Sequence, residues 1–379
     1  MSKVTVEAKA FQAALARVTG AIKPQKNYPI LQCVRISAAD GEMQITGTDL
    51  DVVMMVTLPA SGAMEAICTD FSRLGTIAGT LKDRGEMTIE AGNDSAVIAC
   101  GRSRFTVGLM ASDMWPELTV ENWETQFSVS GSRFARLMTA LAPAISEEET
   151  RYYLNGIFLR PGSVVDDRDD GSLLGVATDG HKLLARSIEV DGIPAKMKGI
   201  ILPRFACATI GKSFGDAGML AISCNDRKLQ VAFDGVTYLT KLIEGQFPDW
   251  RRVVPKVKPA LAFDRAELTA AARIAAAAKV TTKEGKAVKM SFGEGETAID
   301  AIDLNNPAFS GSDVVKHTEL SEPLSDMLGV NVDYLIEVLG ELEADTIEIA
   351  PPKEPTSAPI VLRARGHDDR LAVIMSMRV

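Results

Sequence analysis

Nowhere in these 379 residues does an apolar run approach the ~20 needed to span a bilayer. The N-terminus, MSKVTVEAKAF, carries Glu7 and Lys9 and lacks an apolar core, so it does not read as a secretory signal. Cysteine is scarce: Cys33, Cys68, Cys100, Cys207 and Cys224 are far apart and odd in number. That pattern gives neither a disulfide framework nor CxxC metal spacing, and it fits a reducing cytoplasm. Each is read as a small core residue. The three histidines show no HxH or HExxH spacing. A P-loop, a dinucleotide fingerprint and GxSxG are also missing, so no cofactor or metal is expected. Basic charge is in deficit, 41 Lys and Arg against 50 Asp and Glu. The net charge of −9 speaks against a nucleic-acid binder unless the two signs are segregated onto different faces.

What the chain does have is one unit written three times. Val6, Val129 and Phe263 each end a short alternating strand, and five residues later stand Phe11, Phe134 and Leu268. From those anchors apolar residues recur at i+3, i+4 and i+7: Ala14, Leu15, Val18; Leu137, Met138, Leu141; Ala271, Ala272, Ala275. This is the spacing of a helix with one buried face. A second helix recurs in each unit, on Leu74, Ile77, Ala78, Leu81, then Cys207, Ile210, Gly211, Phe214, then Leu335, Val338, Leu339, Leu342. Alternating segments lie between, and Asp40-Gly41 is a hairpin signal. Each unit closes on an apolar strand, RFTVGLM, VTYLTKLI or RLAVIMSM. The fold expected is α+β, three tandem copies of a domain in which two helices pack on antiparallel sheets. Breaks in the pattern place the copies at 1–124, 125–257 and 258–379.

The charges are indeed uneven. The second copy's helices carry Arg133 and Arg136, then Arg204 and Lys212, with no acid. The first adds Arg17 and Arg73, with Lys23 and Lys26 just beyond its first helix, and the third adds Arg273 and Lys279. Such helices could meet phosphates along one surface. The last helix, VDYLIEVLGELE, runs against this, because Glu337 and Glu341 put negative charge on its exposed side.

Two strings are unusual. TRYYLNG (residues 150–156) sets Tyr152 and Tyr153 at the start of a strand, where neighbours face opposite ways and both cannot be core. VATDGHKLLA (176–185) is a strand, a turn at Asp179-Gly180 and a return strand, with His181 and Lys182 just past the turn. An Asp-x-His pair can supply a base or metal ligand, so a hydrolase using Asp179 and His181 is one alternative. A repeat scaffold that binds proteins but not DNA is another.

TRYYLNG, ATDGHKL, FPDWRRVVP and the terminal VIMSMRV, with GTDLD (47–51) and GRSRF (101–105), resemble hallmark segments of the beta sliding clamps of bacterial DNA polymerase III, in order along the whole chain. The resemblance implies a non-catalytic, cytoplasmic processivity factor. Two three-domain protomers would close head to tail into a six-domain ring around double-stranded DNA, with helices toward the DNA. Partners would include the polymerase III catalytic subunit, a clamp loader and other proteins carrying a clamp-binding motif, and no membrane. They would insert a short peptide into an apolar pocket between the second and third copies. The positions matching that pocket are Leu154, Thr178, Gly180, His181, Lys182, Leu183, Pro248, Arg252 and Val253, with Asn331, Tyr334, Val373, Ile374, Met375, Ser376 and Met377. Lys182 stands where many relatives have arginine, and Gly285 where a pocket phenylalanine is often found. DNA contacts are expected from Lys23, Gln25, Lys26, Arg73, Arg133, Arg136, Tyr152, Tyr153, Arg204, Lys212 and Arg273. Dimer contacts are expected at Phe105 and Val107 on one side and Lys279 and Val280 on the other.

Overall fold

A computed structural model describes residues 2–23, 27–116, 122–165, 171–277, 287–302, 310–323, 325–353 and 358–378. Gln25, Lys26, Lys279, Val280 and Gly285 lie outside them.

The threefold repeat is present element by element. The first copy runs β1 (Ser2–Glu7), α1 (Ala8–Val18), β2 (Cys33–Ala39), β3 (Glu42–Thr48), β4 (Val52–Pro59) and β5 (Ser61–Asp70). It continues through α2 (Phe71–Leu81), β6 (Glu86–Ala91), β7 (Ser95–Cys100) and β8 (Ser103–Met110). The second runs β9 (Thr125–Ser130), α3 (Gly131–Leu141), β10 (Gly156–Pro161), β11 (Ser172–Thr178), β12 (Lys182–Glu189) and β13 (Ile200–Pro203). Then come α4 (Arg204–Ser213), β14 (Met219–Cys224), β15 (Lys228–Phe233) and β16 (Val236–Lys241). The third runs β17 (Leu261–Asp264), α5 (Arg265–Ala277), β18 (Ala287–Phe292), β19 (Glu296–Ile302), β20 (Ser310–Glu319) and β21 (Met327–Asn331). It ends with α6 (Val332–Leu342), β22 (Thr346–Ala350), β23 (Pro359–Ala364) and β24 (Arg370–Met375).

Every α-helix follows its strand without a linker, and in four of the six the last strand residue caps the helix. Glu7 accepts from the Ala10 amide at 2.7 Å, Asp70 from Arg73 at 2.8 Å, and Asp264 from Glu267 at 2.9 Å. Asn331 accepts from Asp333 and Tyr334. A cap of this kind is worth about 1 kcal/mol. The buried faces are those the spacing predicts: Phe11, Leu15 and Val18 on α1, Phe134, Leu137 and Leu141 on α3, Leu268 and Ala272 on α5. Asp40 and Gly41 both have positive φ, as a two-residue hairpin between β2 and β3 requires.

Compactness divides the chain differently from the repeat. One unit is Met1–Ser132 with Lys212–Leu242, the other Arg133–Gly211 with Ile243–Val379. Each holds a twelve-stranded antiparallel sheet. The first sheet is ordered β1-β6-β7-β8-β5-β2-β3-β4-β16-β15-β14-β9, the second β13-β10-β11-β12-β24-β23-β22-β17-β20-β19-β18-β21. The sheets run across the borders between copies, so the second copy lends strands to both. In the first unit β4 pairs with β16, Val52 opposite Thr240 through Val56 opposite Val236. In the second unit β12 pairs with β24, Lys182 opposite Ile374 through Arg186 opposite Arg370.

One local expectation fails. TRYYLNG does not start a strand: Glu149–Leu154 forms a 3-10 turn and β10 begins at Gly156. A paired Glu148–Arg151 and the Asn155 side chain, donating to the Glu148 carbonyl at 3.1 Å, close this turn on itself. Tyr152 is still exposed while Tyr153 packs on the core, but the turn separates them, not strand alternation.

Candidate functional site

In the second unit a cavity of about 290 Å³ opens beside the β12–β24 ladder. Its position follows from a turn. Thr178 donates to the Lys182 carbonyl at 2.8 Å and accepts from the Gly180 amide. Asp179 Oδ1 accepts from the amides of His181 and Lys182 at 2.8 and 2.9 Å. These bonds fix the loop between β11 and β12 and set Gly180, at φ 91°, on the rim. The guanidinium of Arg151 lies against it; a Cβ on Gly180 would meet Arg151 Nη1 at 2.7 Å.

The floor is apolar. Leu154, Leu183, Trp250 and Val373 are buried in one cluster with Phe247, whose ring stacks on Phe158 at 5.0 Å. Pro248, Val253 and Met375 complete the wall. Met375 is held by its amide, which donates to the His181 carbonyl at 2.8 Å.

Of the predicted pocket positions, the structure brings together Leu154, Thr178, Gly180, His181, Lys182, Leu183, Pro248, Val253, Val373 and Met375. Ile374 does not line it, because strand neighbours face opposite ways and its side chain is wholly buried behind β24. Arg252 points to solvent and pairs with Asp249 at 3.0 Å. Asn331 is committed to capping α6, and the Ser376 hydroxyl accepts from the Ala358 amide. The Met377 amide donates to the Gly329 carbonyl, and Met377 is not among the lining residues. Tyr334 stands behind the wall, 6.1 Å from the His181 ring. Arg151, Tyr153, Asp249 and Trp250 line the cavity and were not predicted. The FPDWRRVVP string held the signal for Trp250, a large apolar residue in a Pro-stiffened segment.

Lys182 is nearly buried. Its ammonium pairs with Glu337 of α6, lies 3.7 Å from Asp179, and sits 4.6 Å from the centre of the Tyr334 ring. The charge is therefore compensated on three sides, as a buried cation requires. A second, polar hollow shares His181 and Lys182 with the first and is lined by Ser146, Glu147, Glu148 and Arg204.

The first copy contains the same turn. Thr48 donates to the Val52 carbonyl at 2.7 Å, and Asp49 Oδ1 accepts from the amides of Asp51 and Val52. Where the second copy has Gly180 the first has Leu50, also at positive φ. The Leu50 side chain packs on the cluster of Ile30, Leu31, Cys33, Cys68 and Trp115. One copy of the turn is plugged by its own side chain and the other is left open.

The predicted phosphate-binding cations are largely engaged. Arg133 pairs with Glu189 at 2.9 Å, Arg204 with Glu147, and Lys23 with Asp49 at 2.6 Å. Arg136 lies between Glu341 and Glu343. Arg73, Lys212 and Arg273 are exposed on α2, α4 and α5. The acid of the last helix is thus explained: Glu337 and Glu341 of α6, and Glu343 just past it, face basic residues of the second copy. All five cysteines are buried thiols. Burial pushes Cys33, Cys68 and Cys224 up to about 11 and Cys207 to about 12.

Among the described residues, no group of three or more His, Cys, Asp or Glu side chains is arranged to hold a metal, and no helix is long and apolar enough to cross a membrane. Residues 2–119 match the DNA polymerase III beta subunit, N-terminal domain, and residues 128–249 its central domain. The beta sliding clamp of Pseudomonas putida is 26% identical over 379 residues, covering 99% of each chain. A sliding clamp of Bartonella birtlesii, DNA polymerase III subunit beta solved with griselimycin, superposes with a TM-score of 0.88 at 28% identity over 100% of both chains. The Caulobacter crescentus pol III beta structure gives 0.90 at 25% identity, again over 100% of both.

Proposed function

Because this chain belongs to the DNA polymerase III beta subunit family, we propose that it is a sliding clamp that encircles duplex DNA as a head-to-tail dimer and tethers a polymerase through the cavity beside β12 and β24. The observation that carries the ring is a regularity of strand pairing. The fourth strand of the first copy, β4, pairs with the last strand of the second, β16. The fourth strand of the second copy, β12, pairs with the last strand of the third, β24. The rule leaves one fourth strand, β20, and one last strand, β8. On β8 only Leu109 and Met110 reach β5, so its stretch around Phe105 and Val107 is open on that side. On β20 the stretch 310–316 pairs with β19 alone. Joining β8 of one protomer to β20 of another repeats the internal joint and covers two sheet edges. Val314 on β20 and Ile274 on the adjoining α5 are exposed apolar residues that such a joint would bury. Lys279 and Val280 lie outside the described residues; the open stretch of β20 supplies the third copy's side in this reading.

The chain itself is read as non-catalytic, working in the cell interior and opened by a separate ATP-driven loader. Asp179 supports this: its Oδ1 holds two backbone amides of the turn and its Oδ2 lies 3.7 Å from the Lys182 ammonium, so the carboxylate serves the turn. DNA contact is to backbone phosphate, from Arg73, Lys212 and Arg273 and from arginines that exchange their carboxylates for phosphate. Tyr152 adds an exposed phenol, whereas Tyr153 serves the cavity. Tethering raises a polymerase's effective concentration at the primer end. The copies are taken to divide at 1–124, 125–257 and 258–379.

The test is retention after loader treatment. The protein is expected to stay on closed circular DNA in salt that strips linear DNA, and to be lost when the circle is cut. Equal loss from both would overturn the clamp. Removing residues 375–379 is expected to abolish polymerase tethering while leaving the dimer intact.

A further inference from the structure

At the end of the β12–β24 ladder away from the cavity, two arginines stand directly opposite one another, Arg186 and Arg370. Like charges at opposed positions of an antiparallel pair repel, and here both side chains are only 12% exposed. One carboxylate is shared by both: Glu343 Oε2 lies 2.8 Å from Arg186 and 3.2 Å from Arg370, which is also held by Asp369 through Nε at 3.1 Å and Nη2 at 2.9 Å. Its other oxygen accepts from Arg136 Nε of α3 at 2.7 Å. Glu343 thus gathers three guanidiniums from three elements. It does so from an unfavourable backbone, φ 46° and ψ 46°, at the C-terminus of α6, where glycine or asparagine is the usual occupant. A residue with a Cβ held there signals that its side chain is needed. Burial alone would raise its carboxyl, but the hydrogen bonds from Arg186 and Arg136 hold it below the ordinary range.

At the cavity end of the same ladder Lys182 pairs with Glu337, six residues earlier on α6. Between the two ion-pair sets lies the Leu183–Val373 pair, both of which line the cavity. We infer that α6 is an ionic strap laid along the β12–β24 joint, and that Glu343 is a positioning residue that keeps the joint in register by neutralising Arg186 and Arg370. Without Glu343, Arg370 keeps only the Asp369 carboxylate while Arg186 loses the one the two share. The opposed cations are then under-compensated, the ladder opens from that end, and the Leu183–Val373 floor is displaced. The effect on ligand rests on the pocket reading; the strap does not.

The test uses the full-length chain and two readouts. Amide hydrogen exchange is followed over residues 182–187 and 370–375. Binding is followed with a fluorescent tetrapeptide carrying two leucines and a terminal phenylalanine, chosen to fill an apolar cavity. Glu343→Gln is expected to speed exchange across the ladder by about tenfold and to weaken peptide binding by a similar factor. Glu343→Gly, which relieves the backbone, is expected to behave the same way; protection equal to the parent chain would overturn the strap. Adding Arg370→Gln to Glu343→Gln removes the opposed charge and is expected to restore most of the protection. A double variant no better protected than Glu343→Gln would show that charge opposition is not what Glu343 relieves. If the parent chain does not bind the peptide while exchange responds as stated, the pocket reading fails and the strap stands.

Discussion

Leu50 and Gly180 occupy one place in two copies of the same hydrogen-bonded turn, and the presence or absence of a side chain there separates a filled joint from an open one. Gly180→Leu is therefore expected to block the cavity. The turn survives, since Leu50 already tolerates φ 81° in the first copy, and the Arg151 guanidinium can swing aside. Fluorescence anisotropy should show at least tenfold weaker peptide binding, about 1.4 kcal/mol or more, with the dimer unchanged; undiminished affinity would remove the cavity from the peptide site. At this scale the sequence was partly readable. His181 and Lys182 could be placed because Asp-Gly announces a turn. Arg151 and Tyr153 could not, since a 3-10 turn brings them to the rim and nothing in their spacing announces one. Ile374, taken into the pocket from the resemblance, faces the other way, because alternation along a strand shares VIMSM between two surfaces.

Two of the glycines mark where a helix lies close against a strand. A Cβ on Gly175 of β11 would lie 2.6 Å from Leu141 Cδ1 of α3, and one on Gly47 of β3 would lie 2.5 Å from Val18 Cγ1 of α1. Gly175→Ala should cost about 1–3 kcal/mol by overpacking, read as a lower urea midpoint with an unchanged slope. A neutral result would mean that α3 can shift. The edge strand β20 carries a different sensitivity. His317 is buried, with Nδ1 2.9 Å from Thr297 Oγ1 and Nε2 3.9 Å from Glu319. Burial lowers its proton affinity and Glu319 offsets this in part. The folded value thus lies below the ordinary 6.5. Its contribution to stability is then complete above pH 6.5 and is lost as pH falls below it, because the unfolded chain takes up the proton first. Thermal melts should drop in that window for the parent chain and less for His317→Gln. Equal slopes would place the acid sensitivity elsewhere. Helices and hairpins were readable because each has its own period; strand partners across copies were not, because pairing between distant segments leaves no periodic trace.

For the molecule as a whole, the net charge of −9 misleads in both directions. It hides helices that are basic, and those helices in turn hide how many of their arginines already face carboxylates. The acidic last helix, hard to reconcile with phosphate when read alone, belongs to an internal joint. On the proposed reading, free strand edges decide assembly. Changing Ile274 and Val314 together to glutamate should give a monomer by sedimentation at micromolar concentration, with both internal sheets intact. A persistent dimer would move the interface away from β20. The three copies were legible from periodicity, whereas the ring rested on the resemblance until strand pairing supplied a second reason for it.

The plugged turn of the first copy also sets a valency. On the reading proposed above, the peptide seat beside β12 and β24 occurs once per chain, the matching turn of the first copy being filled by Leu50, so a closed dimer would present that seat twice. Partners carrying the same kind of peptide must then exchange by competition for those two places. Traffic on the ring is limited by the number of vacancies as much as by the strength of any single grip.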